Sequence, residues 1–164
     1  MPTPTYTPLA TVTLASAASS VSFGSIPATY RDLVLVITGS ASVDNTFGMR
    51  FNGDTGTNYS YVDAFGNGSS PSSAASTDTR FLLTVNGTFG AGNHQFNTQI
   101  MDYSATDKHK TGMTRNALSG SVFPGAGMIA ARWASTAAIT SMSIFPGSGQ
   151  LNTGSTFSLY GVIA

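Results

Sequence analysis

The stretch TFSLYGVI at residues 156–163 decides the fold class, because apolar and polar side chains alternate along it. In an extended chain Phe157 and Leu159 lie on one side, while Tyr160 lies on the other. This period of two predicts a β-strand with one face against a core and one face toward solvent.

Short apolar or alternating runs bounded by Gly, Pro, Asn and Ser recur along most of the chain. They predict strands at residues 9–14, 21–26, 33–38, 48–51, 80–85, 95–103, 113–122, 128–134, 139–145 and 156–163. A convincing helical stripe is absent from the sequence. Many short strands that each supply one inward face need two packed sheets. We therefore expect an all-β chain, with one antiparallel β-sandwich domain over residues 9–164 and Trp133 in its core.

The run LVLVI at residues 33–37 is apolar on both sides of an extended chain. An antiparallel strand with one solvent-exposed face should alternate apolar and polar residues instead. This strand is therefore either central and covered on both faces, or part of a subunit contact. The second interpretation makes interface candidates of Leu33, Val34, Leu35, Val36 and the outward-facing Tyr160.

Residues 1–8 predict an extended N-terminal arm. They contain Pro2, Pro4 and Pro8, with Tyr6 between them, and proline locks φ and donates no ladder hydrogen bond. The arm either reaches onto a neighbouring subunit or frays. On the first interpretation these four residues are interface candidates.

Residues 52–79 predict a long loop, because they are rich in Gly, Ser, Asn and Ala. A loop of this length is uncommon inside a compact domain and is often functional. Tyr59 and Tyr61 supply apolar anchors in its first half and are candidate loop contacts. Residues 66–79 are predicted to form an exposed tip.

The charge content excludes several classes of function. Only 9% of the residues are charged, and seven Lys and Arg balance seven Asp. Nucleic-acid binding needs clustered cations, and a membrane helix needs about 20 apolar residues, so we expect neither partner. No cysteine is present, which excludes disulfides, thiolate nucleophiles and Cys-based zinc sites. A neutral chain rich in aromatic residues and Met favours contact with other subunits, and predicts a symmetric homo-oligomer.

The candidates for catalysis and metal binding are few. His94 and His109 are not in a spaced pair, and the charge cluster at residues 107–110 is typical of a solvated turn. The oxygen-rich stretch at residues 52–58 faintly resembles a calcium loop but lacks EF-hand spacing. We therefore expect no enzyme activity, no cofactor and no metal. A polysaccharide hydrolase, the enzyme class left open, would need two Asp across a cleft.

Several stretches resemble small structural proteins of tailed bacteriophage virions. They are YTPLATVTL at residues 6–14, VSFGSIPATYRDLVL at 21–35, MRFNGDTGTNYS at 49–60, ITSMSI at 139–144 after Trp133, and GSTFSLYGV at 154–162. Together they span nearly the whole chain.

This resemblance implies a jelly-roll-like sandwich with a non-enzymatic structural role on the virion. Within that role we expect a capsid decoration or cement protein, made in the bacterial host cytoplasm and acting as a homotrimer. Its partners would be its own copies and the phage major capsid protein or neighbouring virion proteins. The alternative is a tail or fibre component that binds host-surface glycans, with Tyr59 and Tyr61 presented by the 52–79 loop.

Overall fold

The computed structural model describes residues 5–119 and 124–163, without the side chains of residues 85–88. These residues form twelve strands and no helix. The strands are β1 (Tyr6–Thr13), β2 (Val21–Phe23), β3 (Asp32–Gly39), β4 (Asn45–Phe51), β5 (Tyr59–Gly66), β6 (Pro71–Asp78), β7 (Phe81–Phe89), β8 (His94–Met101), β9 (Lys110–Leu118), β10 (Gly125–Trp133), β11 (Met142–Pro146) and β12 (Thr156–Val162).

The strands form two sheets packed as a sandwich. The larger sheet has eight strands in the order β1-β12-β3-β8-β9-β10-β5-β6, and the smaller has four in the order β2-β11-β4-β7. Every pair of named strands is antiparallel among the described residues. The prediction of an all-β antiparallel sandwich is therefore confirmed, while the jelly-roll arrangement stays a prediction.

The core between the sheets is dominated by aromatic rings. Phe47 of the small sheet stacks on Phe89 with ring centres 4.1 Å apart, and lies 5.1 Å from Phe96 of the large sheet. Nearby, Phe51 lies 5.6 Å from Trp133, which is almost fully buried as predicted. Burying these rings stabilises the fold. The contacts between rings of opposite sheets also fix how the two sheets face each other.

Strand β3 is central, between β12 and β8, and its two sides differ. Leu33 and Leu35 are 0% exposed and belong to the core, so the prediction that they lie in an interface is wrong. Their side chains point toward the small sheet because of the strand's period of two. Val34 and Val36 point to the opposite side, where Val36 is half-buried.

The predicted 52–79 loop is wrong, because most of it forms the hairpin of β5 and β6. The two strands pair over eight residues in unbroken register, from Tyr59 opposite Asp78 to Gly66 opposite Pro71. Asn67 closes the turn, since its Oδ1 accepts hydrogen bonds from the backbone amides of Ser69 and Ser70. Strand β5 is rich in Tyr, Val and Phe, which favour strands, but β6 is mostly Ser and Ala, so its pairing with β5, not its composition, makes it a strand.

The predicted arm at residues 1–8 also needs correction. Tyr6 and Pro8 lie in β1, which pairs with β12 at the edge of the large sheet, and the register shifts between Pro8 and Ala10. An edge strand tolerates proline because one side of its backbone needs no ladder partner. Pro2 and Pro4 lie outside the described residues.

Candidate interaction surface

The large sheet has one side against the small sheet and one side away from it, which we call the outer face. Strand β9 shows the division. Its even-numbered residues, from Lys110 to Leu118, are buried, and its odd-numbered residues, from Thr111 to Ala117, are exposed. The odd-numbered side chains of β9 therefore project from the outer face, away from the small sheet.

The strand register arranges the outer face in rows across the sheet. One row is Ser158, Val36, Asn97, Arg115, Met128 and Ala64; the next is Tyr160, Val34, Gln99, Met113, Ala130 and Val62. In both rows the polar and aromatic groups lie toward β12, and the exposed apolar groups lie toward β5. The outer face thus has two chemically different halves.

The half toward β5 carries a methionine patch, which we define as Met101, Met113, Met128 and Val62. These side chains are 48%, 51%, 52% and 60% exposed. A mostly apolar depression of about 620 Å³ lies among three of them, Met101, Met113 and Val62, and the small residues Ala75 and Ala130. Exposed apolar groups in a contiguous set mark interaction sites, and flexible Met side chains adapt to a partner's shape.

The half toward β12 carries an amide groove, which we define as Val34, Val36, Asn97, Gln99, Arg115 and Tyr160. Two depressions of about 270 and 350 Å³ share Val36, Asn97 and Arg115, so they form one feature. The structure thus brings together the predicted interface residues Val34, Val36 and Tyr160. Tyr6 lies at the β1 end of the groove, and Pro8 pairs with Tyr160 beside it.

One end of the groove is fixed by a buried carboxylate. Asp32 accepts hydrogen bonds from Gln99 Nε2 at 2.9 Å, from the Asp102 amide at 3.1 Å, and from Arg31 Nη2 at 3.2 Å. Burial alone raises the pKa of Asp32, but these donors outweigh it and lower the pKa below its ordinary value. Gln99 is therefore held in one orientation at the groove.

The two tyrosines predicted as loop contacts differ in how deeply they are buried. Tyr59 is only 1% exposed: its hydroxyl donates to the Asp54 carbonyl and accepts from the Phe51 amide, both at 3.2 Å. Burial raises its pKa to about 12. The prediction that Tyr59 makes surface contacts is therefore wrong, because β5 turns that side toward the core. Tyr61 lies on the same side of β5 but is only half-buried, and it packs against the core cluster.

The oxygen-rich stretch at residues 52–58 is a structural turn fixed by Asp54. The Asp54 carboxylate accepts from Trp133 Nε1 at 2.6 Å and from Asn58 Nδ2 at 3.0 Å. It also accepts from the Gly56 amide at 2.8 Å. The hydrogen bond from Trp133, followed by that from Asn58, lowers the pKa of Asp54. In the described part of the chain, no three His, Asp or Glu side chains converge where they could hold a metal ion.

The histidines lie apart from the outer face and from each other. His94 is 0% exposed, with Nε2 accepting from the Gly90 amide at 3.4 Å and its ring 5.4 Å from that of Phe89. Its Nδ1 has no partner among the described residues, and burial lowers its pKa. His109 is exposed in a turn. His94 is therefore a core residue that ordinary alternation places inward.

Lys110 corrects the expectation that the whole 107–110 cluster is solvated. It is 0% exposed, and its Nζ donates to the carbonyls of Lys108 at 2.9 Å and Thr136 at 3.3 Å. Burial lowers its pKa. Its position at the start of β9, opposite Trp133, sends the side chain inward. The period of β9 is the sequence signal that could have located it.

No protein-family model, curated protein or solved structure is significantly similar to this chain. Among the described residues there is also no helix with the length and apolarity needed to cross a membrane.

Proposed function

We propose that this chain is a non-enzymatic structural protein of a tailed-phage virion, and that it stabilises the head as a capsid decoration protein. The methionine patch carries the proposal: four large apolar side chains are half-exposed together on a rigid sheet face. The resemblance of residues 6–14, 21–35, 49–60, 139–144 and 154–162 to phage virion proteins supports the same role.

The charges of the outer face favour a different protein as the patch's partner over a second copy. Arg115 and Arg132 project from this face, and neither has an ion pair within the described residues. Asp32 is the only carboxylate on this side of the described strands of the sheet, and it is buried. Two copies face to face would juxtapose like charges, whereas a virion protein with carboxylates around an apolar contact would be complementary.

Stabilisation of the head would follow from mass action. A protein that binds the assembled capsid but not its separated subunits lowers the free energy of the assembled state. Interface cores are enriched in Met and depleted in Lys, Glu and Asp, and this patch consists of three Met and one Val. No chemical step is needed for this role.

The experiment is sedimentation of the purified protein with emptied phage heads that lack it. The double variant Met113→Gln/Met128→Gln removes about 2 kcal/mol of apolar burial, so it should bind roughly thirtyfold more weakly. Val43→Gln is the matched control, because Val43 is similarly exposed but lies outside every strand. If the wild-type protein fails to sediment with heads, or if the double variant binds as well as the control, the proposal is wrong.

Self-association as a homotrimer is a separate part of the proposal, and we assign it to the β1 edge. Tyr6 is 56% exposed there and Pro8 is exposed beside it, on a strand with one unpaired side. Light scattering should give about three times the chain mass of 16.9 kDa for the wild type and a smaller mass for Tyr6→Ser. A monomeric wild-type protein would contradict the trimer without affecting the patch.

A further inference from the structure

We propose that the amide groove binds an oligosaccharide, and that Arg115 selects sugars bearing a carboxylate. The groove combines the two surfaces that a sugar ring needs. Planar amides and a guanidinium can pair with hydroxyl groups, and an apolar floor with an aromatic ring can pack against the C–H face. This ligand class is independent of the virion role and of the methionine patch.

Three polar side chains in or beside the groove, unlike that of Gln99, are free to bind a ligand. Within the described residues, the amides of Gln95 and Asn97 and the guanidinium of Arg115 make no hydrogen bond. Gln95 borders the groove next to Asn97 on the same side of β8. Each amide carries two donors and one acceptor, so a vicinal pair of sugar hydroxyls can replace its water without leaving a polar atom unpaired.

The floor of the groove is apolar and rigid. Val34 and Val36 belong to the central strand β3, and Tyr160 lies opposite Val34 on β12. A strand at the centre of a sheet is among the least mobile backbone elements of a domain, so little conformational entropy is lost when a ligand binds. The row from Val36 across Asn97 to Arg115 spans about 10 Å, the length scale of a disaccharide.

Other ligand classes fit the groove less well. A nucleic acid or polyphosphate needs several cations, and Arg115 is the one cation among the groove residues. An extended peptide adds to a free sheet edge, but β3, β8 and β9 are paired on both sides. A protein partner favours the more apolar methionine patch. The free amides and the narrow apolar floor of the groove instead suit a sugar.

Arg115 gives the site its selectivity. Its guanidinium is exposed beside Asn97, and no carboxylate of the described residues neutralises it. A uronate or sialate carboxylate would accept two parallel N–H bonds from it, which a neutral sugar cannot. Binding of acidic sugars should therefore weaken with salt more than binding of neutral ones.

The test is binding of the purified full chain to an array of bacterial surface polysaccharides, both neutral and uronate- or sialate-bearing, followed by titration calorimetry of the oligosaccharides retained. We expect acidic polysaccharides to bind, with Asn97→Ala and Tyr160→Ala each weakening binding about tenfold. Arg115→Gln should reduce the preference for acidic over neutral sugars.

Two controls keep the outcome clear. Val43→Gln, outside both surfaces, should leave sugar binding unchanged, and thermal unfolding should show that each groove variant is folded. Amide NMR shifts on adding the sugar should centre on β3 and β8, not on β5. Absence of binding to any polysaccharide, or binding that Asn97→Ala and Tyr160→Ala leave intact, would overturn the proposal. Because the head-sedimentation assay uses other residues, its outcome does not depend on this one.

Discussion

The two halves of the outer face have the same backbone and different chemistry. Strand β9 contributes to both: Met113 belongs to the methionine patch, and Arg115, about 7 Å along the strand, belongs to the amide groove. The patch offers apolar area with few polar groups, and the groove offers free hydrogen-bonding groups over a narrow apolar floor. Register and alternation alone can therefore place two separate interaction sites on one rigid sheet.

The largest expected effect comes from the core that both halves share. Phe47→Ala removes a fully buried ring that contacts Phe89 and Phe96, and should lower the free energy of unfolding by about 3–5 kcal/mol. Denaturant unfolding measures this loss. Phe47→Leu, which keeps most of the volume, should cost less than half as much. Equal costs for the two variants would mean that the rings do not fix the packing of the sheets.

The second effect should separate the halves. Asp54→Ala leaves Trp133 Nε1 without its acceptor and should cost about 1–3 kcal/mol of stability. Because Asp54 precedes β5, which supplies Val62, amide hydrogen exchange should increase in β5 and β6 but not in β3. Asp54→Asn keeps a side-chain oxygen acceptor and should lose less. A uniform increase across all strands would show that the halves are not independent.

A smaller effect is expected when each of two outer-face arginines is replaced in turn. Arg132 lies on β10 beside the methionine patch, and Arg115 lies in the groove. Arg132→Gln should weaken binding to phage heads several-fold at low salt, and Arg115→Gln should do the same for acidic sugars, with both losses shrinking as salt rises. If either variant weakened binding to phage heads and to acidic sugars equally, the outer face would not be divided into two separate sites.

The smallest effect concerns pH. Burial lowers the pKa of His94 in the folded protein, so below about pH 6.5 the unfolded chain binds a proton that the folded chain resists. Stability should therefore decrease as pH falls from 7 to 5, and a His94→Gln variant should show a flatter profile. His94 is the first residue of β8, so amide hydrogen exchange at pH 5 should increase first in β8, which contributes Asn97 and Gln99 to the groove. A flat wild-type profile would contradict this account.

Much of the fold could be predicted from single strands. The alternation at residues 156–163 identifies β12, and Trp133 is recognisable as a core residue from its size and neighbours. The hairpin of β5 and β6 could not be predicted, because β6 is mostly Ser and Ala, which carry little strand signal. Strand β6 forms by pairing with β5, and β5 in turn pairs with β10, whose residues are distant in sequence.

The candidate surface was predictable only in part. Tyr160 could be selected from the alternation of its own strand. The methionine patch could not, because Met101, Met113 and Met128 come from three strands whose register is set by backbone pairing. Likewise, nothing in the pattern of 33–37 shows which of its two apolar sides faces the core, so residues of both sides are interface candidates and Leu33 and Leu35 are wrong.

The most direct test is a reconstruction of the phage particle at a resolution that shows side chains. It should place this chain on the outside of the head, with Met113, Met128 and Val62 against a neighbouring protein and the groove around Asn97 open to solvent. A particle without this chain, or one in which the methionine patch faces solvent while another surface makes the contact, would contradict the account.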